Sequence, residues 1–220
     1  MRLIITGATG MVGSEVLRQA IADNEIESIT IIVRRATDIT HPKLKTILHQ
    51  NFLDYASLEN EFKNNDALIW CLGISQNVVS KDEYIKITYD YTIAAANAVV
   101  QWNSALRFLF LSGRGADNTE KTKLLFGKIK GRTENALKEL PLQKLYIVRP
   151  NAINPIHQPK NLPFILKLQY FMVKIFTHIT PSFIINSDEL AKALLYIVKK
   201  NEPSQLYNDV QLKQIAKQLS

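Results

Sequence analysis

A short apolar run leads directly into three evenly spaced glycines near the start of the chain. Leu3 to Thr6 show no alternation of polar and apolar residues, which predicts a strand buried on both faces of a parallel sheet. From Met11 onward apolar residues recur at helical spacing, so Gly7, Gly10 and Gly13 lie at a strand-to-helix turn. Backbone N–H groups and the dipole at the start of a helix attract anions such as a pyrophosphate. The stretch therefore predicts a turn that binds a dinucleotide.

Each glycine has a different expected role in this turn. Gly7 permits the tight turn, Gly10 lets the backbone approach a phosphate, and Gly13 lets the helix pack closely on the strand. The spacing is Gly-x-x-Gly-x-x-Gly rather than the commoner Gly-x-Gly-x-x-Gly. A glycine-rich turn without a ligand is the alternative, but the flanking strand and helix favour the dinucleotide.

Composition excludes several other classes of protein. The chain has 220 residues, 46% of them hydrophobic, which is enough for the core of a single domain. The single cysteine, Cys71, and four histidines without ligand spacing predict neither a disulfide framework nor a metal site. No signal peptide precedes the first strand, and no uncharged apolar run reaches the roughly 18 residues of a membrane span. We therefore expect a cytoplasmic protein.

The net charge of +7 indicates either affinity for nucleic acid or membranes, or a site for an anionic small molecule. Basic residues gather around one predicted helix, and most are expected to be solvated surface: Lys121, Lys123, Lys128, Lys130 and Arg132. Nucleic acid is the weaker interpretation, because the chain has no recognised binding module and no aromatic platform for single strands.

Predicted strands and helices alternate as far as Pro150. Apolar runs predict strands at Ser28–Val33, Leu44–Leu48, Ala67–Cys71, Arg107–Leu111 and Lys144–Arg149, and helical spacing covers Lys81–Trp102 and Lys121–Leu140. This alternation predicts an α/β fold with a doubly wound, Rossmann-type parallel sheet. We expect one domain over residues 1–220, with the Rossmann core at 1–155 and a small substrate-side segment at 156–220, where prolines interrupt the pattern.

Ligands of such sheets lie beyond the carboxyl ends of the strands. The residues that follow the predicted strands are therefore the first candidates for a site: Gly7 to Val12, Arg34 and Arg35, Asn51 and Phe52, Leu72 and Gly73, Ser112 and Gly113, and Pro150 and Asn151.

Two arginines follow the second predicted strand, where an NAD-selective site has a carboxylate. The stretch reads VRRAT, and the first acid, Asp38, comes several residues later. Guanidinium groups can hold a 2′-phosphate through bidentate hydrogen bonds. We therefore expect Arg34 and Arg35 to select NADP(H); two exposed arginines without a partner are the alternative.

Several motifs in order resemble a known superfamily. TGATGMVG, IIVRR, CLG, LSGRGAD, the helix around Lys130 and VRP are similar to the extended and atypical short-chain dehydrogenases/reductases. Within these, the chain resembles the NAD(P)-binding members related to Tat-interacting protein 30 and the NmrA-like proteins. The resemblance implies NADP(H) over the glycine loop, with Asn51 and Phe52 flanking the adenine and Leu72 and Gly73 beside the ribose. The full set of expected cofactor residues is Gly7, Thr9, Gly10, Met11, Val12, Arg34, Arg35, Asn51, Phe52, Leu72, Gly73, Lys130 and Pro150.

The catalytic motif of the superfamily is incomplete in this chain. Active members carry Tyr-x-x-x-Lys on the helix after the fifth strand, where the lysine lowers the tyrosine pKa and the phenol transfers a proton. Here the stretch LLFGKIKG has Phe126 in place of the tyrosine, and the serine pair of relatives reads Ser112-Gly113. Lys130 and Ser112 are the remaining catalytic candidates, and the resemblance implies that Lys130 holds the nicotinamide ribose.

Two functions stay open at this point. The chain is either an NADPH-dependent reductase whose proton comes from another donor, or a regulator whose cofactor-bound state is recognised by a partner protein or a second copy. Ser112 and the tyrosines of the long helix are the alternative donors: Tyr84, Tyr89 and Tyr91.

An amphipathic stretch follows Pro150. Phe164, Leu168, Phe171 and Ile175 share one predicted helical stripe, and Lys160, Lys167 and Lys174 share another. Such a helix suits either a roof over a substrate pocket or an anionic membrane surface. We expect the roof, because this fold places its substrate region after the sixth strand, and membrane binding is the alternative.

Overall fold

The structure is a computed structural model and describes residues 1–157 and 184–219. Its described strands are β1 (Arg2–Thr6), β2 (Ser28–Val33), β3 (Leu44–Leu48), β4 (Ala67–Trp70), β5 (Arg107–Leu111), β6 (Leu145–Arg149), β7 (Ala152–Asn154), β8 (Ile184–Asn186) and β9 (Gln205–Asn208). Its described α-helices are α1 (Met11–Ala22), α2 (Glu59–Asn64), α3 (Lys81–Ile85), α4 (Tyr91–Asn103), α5 (Leu125–Glu139), α6 (Ser187–Lys200) and α7 (Asp209–Gln218). A 3₁₀ turn (Ala56–Leu58) precedes α2.

Seven strands form one sheet in the order β3-β2-β1-β4-β5-β6-β9, and all of its pairings are parallel. Strands β7 and β8 form a separate parallel pair. The chain runs outward from β1 to β3 and then returns to β4, so the order of the strands reverses between β1 and β4. Ligands of open α/β sheets bind at this switch point. The predicted α/β fold class with a Rossmann-type sheet is confirmed.

Helices cover both faces of the sheet, which explains why its central strands are apolar throughout. On one face α1 and α6 pack on the sheet around a core that contains Ile5, Val16 and Leu194. On the other face α2 and α4 cover a second core that contains Trp70 and Phe108. The sheet is thus packed on both faces, and its carboxyl edge carries the candidate site.

Two long predicted helices differ from those in the structure. A π-helical turn at Lys86–Asp90 interrupts the helix predicted at Lys81–Trp102. In this turn the carbonyl of Thr88 accepts hydrogen bonds from the hydroxyls of Thr92 and Thr133. The helix predicted from Lys121 begins at Leu125. The cause is the carboxylate of Asp117, which accepts backbone N–H groups of Thr119 and Thr122 and so stabilises turns before the helix.

The chain beyond residue 184 contributes to the same sheet as the N-terminal part. Strand β9 pairs with β6, and α6 packs against α1 through the shared core. Part of the segment expected on the substrate side thus completes the Rossmann sheet instead. The amphipathic stretch that includes Phe164, Leu168 and Phe171 lies outside the described residues. Among the described helices, none has the length and hydropathy needed to cross a bilayer.

Candidate functional site

The glycine turn between β1 and α1 is made of closely packed backbone. Gly7 has a φ of 67°, and a Cβ atom there would lie 2.5 Å from the carbonyl oxygen of Cys71, which follows β4. A Cβ atom on Gly13 would lie 2.1 Å from the carbonyl oxygen of Gly7. Because neither space admits a side chain, the turn presents bare backbone at the switch point of the sheet.

The start of α1 is suited to an anion. Gly10 is its N-cap residue, no side chain caps the helix, and its first turn contains no acidic residue. The N–H groups of this turn and the positive end of the helix dipole therefore face outward without competition from a carboxylate. The turn fits the pyrophosphate of a dinucleotide.

A pocket of about 280 Å³ opens over this turn, and we call it the glycine-loop pocket. Its walls include eight of the expected cofactor residues: Gly7, Thr9, Gly10, Arg34, Arg35, Phe52, Leu72 and Gly73. Cys71 also contributes, but burial raises the pKa of its thiol to about 12, so the group stays protonated. The carboxyl ends of β1, β2 and β4 thus bring residues from distant parts of the sequence into one pocket.

Asn51 and Val12 are two of the five expected cofactor residues that lie outside the walls of this pocket. Asn51 is exposed, and its side-chain oxygen accepts a hydrogen bond from the backbone N–H of Leu53 at 3.2 Å. Val12 is 5% exposed and packs in the core beneath α1. Phe52 does line the pocket, but at 1% exposure it offers almost no surface to a ligand.

Arg34 and Arg35 lie at the rim of the glycine-loop pocket and are exposed. Within residues 1–157 and 184–219, neither guanidinium forms an ion pair. The backbone at this point is held by Gln50, whose side-chain amide donates to the carbonyl of Arg34 at 2.7 Å. The two cations are therefore available to a phosphate group.

A second pocket of about 530 Å³ lies at the carboxyl ends of β5 and β6, and we call it the Ser112 pocket. Met11, Ser112 and Pro150 of the expected site line it, together with Gly113, Phe126 and Ile153. A Cβ atom on Gly113 would lie 2.7 Å from Cζ of Phe126. The phenyl ring thus fills the volume that a side chain at position 113 would take.

The hydroxyl of Ser112 is hydrogen-bonded within the protein. It donates to Oε1 of Glu134, which is fully buried on α5. Arg149 donates to the same carboxylate from Nε at 2.8 Å, and the side-chain amide of Asn118 donates to Oε2 at 3.1 Å. Sequence analysis missed this network; the one signal for it is an acid on the apolar face of α5.

Lys130 lies beneath the end of β5 and is 8% exposed. Its Nζ donates to the carbonyl oxygen of Leu111 at 2.9 Å and lies 4.6 Å from the ring centre of Phe110. Burial lowers the pKa of Lys130 to about 8, and the carboxylate of Glu134 opposes that shift. Neither the glycine-loop pocket nor the Ser112 pocket has Lys130 in its walls.

The tyrosines considered as alternative donors line neither of these two pockets. Tyr84 is 1% exposed, the ring of Tyr89 lies under the guanidinium of Arg132, and the ring of Tyr91 lies 5.6 Å from that of Phe52. In the described part of the chain, His, Cys, Asp and Glu side chains form no group of three or more that could hold a metal ion.

Sequence comparison identifies a family. A model described as NAD(P)H-binding matches residues 7–159, well over half of the chain. Protein HTATIP2 of Rattus norvegicus is 25% identical over 154 residues, covering 69% of this chain and 62% of that protein. The mitochondrial protein FMP52 of Meyerozyma guilliermondii is 27% identical over 154 residues, covering 70% and 65% respectively. The match thus spans less than two thirds of the length of these relatives.

Solved structures show the same fold. The enzyme WbmG of Bordetella bronchiseptica in complex with NAD is 15% identical, with a TM-score of 0.69 over 94% of this chain and 72% of the other. The UDP-N-acetylglucosamine 4-epimerase of Methanobrevibacter ruminantium M1 is 18% identical, with a TM-score of 0.70 over 94% and 75%. At these identities the likeness concerns the fold alone. With the family match, it confirms the resemblance that the motifs indicate: the chain belongs to the NAD(P)H-binding family and has the fold of the short-chain dehydrogenases and epimerases.

Proposed function

We propose that this chain binds NADP(H) on its glycine loop and acts as a cofactor-dependent sensor with little or no reductase turnover. The observation that carries the proposal is the pair formed by Phe126 and Gly113. An apolar ring fills the place where the resemblance implies a tyrosine hydroxyl and a serine hydroxyl, and the remaining Ser112 hydroxyl donates to Glu134. Residues 112, 113 and 126 would therefore supply no proton donor for a reaction of the bound cofactor.

The remaining residues suit cofactor binding better than chemistry. When bound, NADP(H) supplies or accepts a hydride. We assign the pyrophosphate to the turn at Gly7 and Gly10, and the 2′-phosphate to Arg34 and Arg35. Lys130 is assigned to the nicotinamide ribose, because its Nζ donates one hydrogen bond to the carbonyl of Leu111 and has two further N–H groups for the ribose hydroxyls. The cofactor-bound state would be recognised by a partner protein or by a second copy of the chain.

The choice of cofactor tests the role of the two arginines. We expect the wild-type chain to bind NADPH about tenfold to a hundredfold more tightly than NADH, since a hydrogen bond to a charged group contributes about 1.5–3 kcal/mol. Arg34→Ala should remove most of that preference by weakening NADPH binding and leaving NADH binding unchanged. Titration calorimetry with both cofactors measures each affinity.

Arg2→Ala is the matched control for this measurement. Arg2 is a partly exposed arginine at the amino end of β1, on the opposite edge of the sheet from the glycine loop. We expect this variant to keep the full preference for NADPH. Equal affinity of the wild-type chain for the two cofactors would refute the assignment of the arginines.

Restoring the missing phenol tests the sensor function directly. We expect Phe126→Tyr to raise NADPH oxidation with a simple carbonyl substrate by about tenfold, which is below the 10²–10⁴-fold effect of a full general acid. The gain is limited because Ser112 stays bound to Glu134 and Gly113 supplies no hydroxyl. Phe126→Leu, which removes the ring without adding a hydroxyl, should give no gain. The readout is the loss of absorbance of NADPH.

A reductase with another proton donor is the second candidate. The Ser112 pocket favours it, because about 530 Å³ is enough room for a small substrate beside the turn of α1. Rapid NADPH oxidation by the wild-type chain on any carbonyl compound would support this candidate and contradict the sensor.

A further inference from the structure

Lys130 places a buried positive charge close to both the glycine-loop pocket and the Ser112 pocket. Its Nζ donates to the carbonyl of Leu111, and the next residue along β5, Ser112, lines the Ser112 pocket. The same Nζ interacts electrostatically with the thiol of Cys71, which lines the glycine-loop pocket. Because Lys130 is 8% exposed, water screens its charge poorly, and the charge acts on groups in both pockets without touching them.

The groups around Lys130 leave its charge uncompensated. Within the described residues, the ionisable groups that act on it are the carboxylate of Glu134 on α5 and the thiol of Cys71 after β4. Glu134 already forms an ion pair with Arg149, whose Nε donates to it at 2.8 Å. Burial raises the pKa of the Cys71 thiol to about 12, so this group is neutral. Lys130, Glu134 and Arg149 together therefore keep one net positive charge.

In the described part of the chain, neither of the two pockets has a carboxylate in its walls. Residues 158–183, which lie outside that part, contain no Asp or Glu in their sequence. Phe126 removes a further group that can carry negative charge, because it stands in place of the tyrosine of the superfamily. A positively charged ring bound here would thus meet no counter-charge from a side chain in the pocket walls.

The two redox states of the cofactor differ by one charge at the nicotinamide. The ring of NADP⁺ is cationic and the ring of NADPH is neutral, whereas the phosphates are the same in both. Two like charges a few ångströms apart repel each other more strongly at a buried site than in water. A cation near the ring therefore disfavours the complex with NADP⁺ relative to the complex with NADPH.

We propose that Lys130 makes the site select the reduced cofactor, so that the chain binds NADPH in preference to NADP⁺. The inference rests on the proposed function, since it requires the nicotinamide to lie over the ends of β4 and β5, where Lys130 is assigned to the ribose. It deepens that function by naming the signal, which is the redox state of the nucleotide rather than its presence. Lys130 acts here as a specificity-determining residue and transfers no proton.

The first test compares the affinities of the wild-type chain for NADPH and NADP⁺ by titration calorimetry. At about pH 6.5 we expect NADPH to bind about tenfold more tightly. Burial lowers the pKa of Lys130 to about 8, so the side chain is charged at this pH and neutral well above it. At about pH 9.5 the preference should therefore fall to about twofold or less. Titration of the phosphates cancels in the ratio, because both cofactors carry the same ones.

Three variants separate the charge of Lys130 from its hydrogen bonds. Lys130→Met should weaken both cofactors by removing donors to the ribose, and should reduce the preference for NADPH to about twofold or less at either pH. Lys130→Arg keeps a charge that does not titrate in this range, so the preference should persist even at about pH 9.5. Lys128→Met changes an exposed lysine of the same helix and is the matched control. It should keep the preference of the wild-type chain and its dependence on pH.

Two results would overturn the inference: equal affinity of the wild-type chain for NADPH and NADP⁺ at the lower pH, or a preference that persists both at the higher pH and in Lys130→Met. The pair NADH and NAD⁺ keeps this test separate from the proposed function, because it has the same charge difference but no 2′-phosphate. If NADPH binds more tightly than NADH but no better than NADP⁺, only the inference fails. If the reduced form is preferred in both pairs and NADPH binds no better than NADH, the assignment of Arg34 and Arg35 fails and the role of Lys130 stands.

Discussion

Gly13→Ala is expected to abolish NADPH binding and to lower the free energy of unfolding by about 3 kcal/mol, the upper range for overpacking a core. The new Cβ atom would lie 2.1 Å from the carbonyl oxygen of Gly7 and 2.7 Å from its carbonyl carbon. Because both obstacles are backbone atoms, relief requires α1 to move away from the turn. That movement displaces the N–H groups that would bind the pyrophosphate. Urea denaturation and cofactor titration measure the two effects.

Two other glycines make this result interpretable. A Cβ atom on Gly73 would meet no atom within 4 Å, so Gly73→Ala should change the free energy of unfolding by less than about 0.5 kcal/mol. Gly10→Ala brings a Cβ atom to 3.2 Å from the carbonyl oxygen of Gly7, a tight contact that needs only a small shift. We expect it to weaken NADPH binding in a protein that still folds. Unchanged NADPH binding in Gly13→Ala would contradict the proposed role of the turn.

Glu134→Gln is expected to lower the free energy of unfolding by about 3 kcal/mol, the cost of leaving one partner of a buried ion pair without its counter-charge. Glu134 is fully buried and accepts from Ser112, Asn118 and Arg149. Glutamine keeps the shape of the side chain but removes the charge that compensates the guanidinium of Arg149. The network joins the ends of β5 and β6 to α5, so its loss should also loosen the Ser112 pocket.

Glu59→Gln is the matched control for this change. Glu59 forms an ion pair with Lys63 one helical turn away on α2, and both side chains are about half exposed. Exposed pairs of this kind contribute about 0.3–0.5 kcal/mol, so the control should remain close to wild type. Chemical denaturation of both variants gives the comparison, and similar losses in the two would argue against a special role for the buried network.

The sheet was largely predictable because each of its central strands is specified by residues that are adjacent in the sequence. Strands buried on both faces are continuous apolar runs, and Ser28–Val33 and Arg107–Leu111 match the predicted ranges. The more exposed edge strand Leu44–Leu48 also matches its predicted range. Strand β9 escaped prediction because QLYN contains one buried residue, Tyr207, and pairs with a single neighbour. Helix α6 did carry a signal, a capping box between Asn186 and Glu189, which the irregular proline-rich sequence before it obscured.

The candidate site was likewise predictable only where its contacts are local in sequence. The glycine turn is predictable because its constraints act between residues within one strand–turn–helix unit. The partner of Ser112 is not, since Glu134 lies 22 residues further along and meets it only when α5 packs on the sheet. The distance between Gly113 and Phe126 likewise depends on tertiary packing. Sequence analysis could name the missing phenol, but only the structure shows that its place is filled.

The parallel pair β7–β8 gives the chain a form of modularity. Ala152 pairs with Ile184 and Asn154 with Asn186, so the two ends of the intervening stretch are fastened side by side next to the Ser112 pocket. A stretch held between fixed neighbouring anchors can change its length at small thermodynamic cost, about 0.6 kcal/mol for each doubling of a flexible chain. The chain between these anchors can therefore change in length with little effect on the stability of the dinucleotide-binding half of the protein.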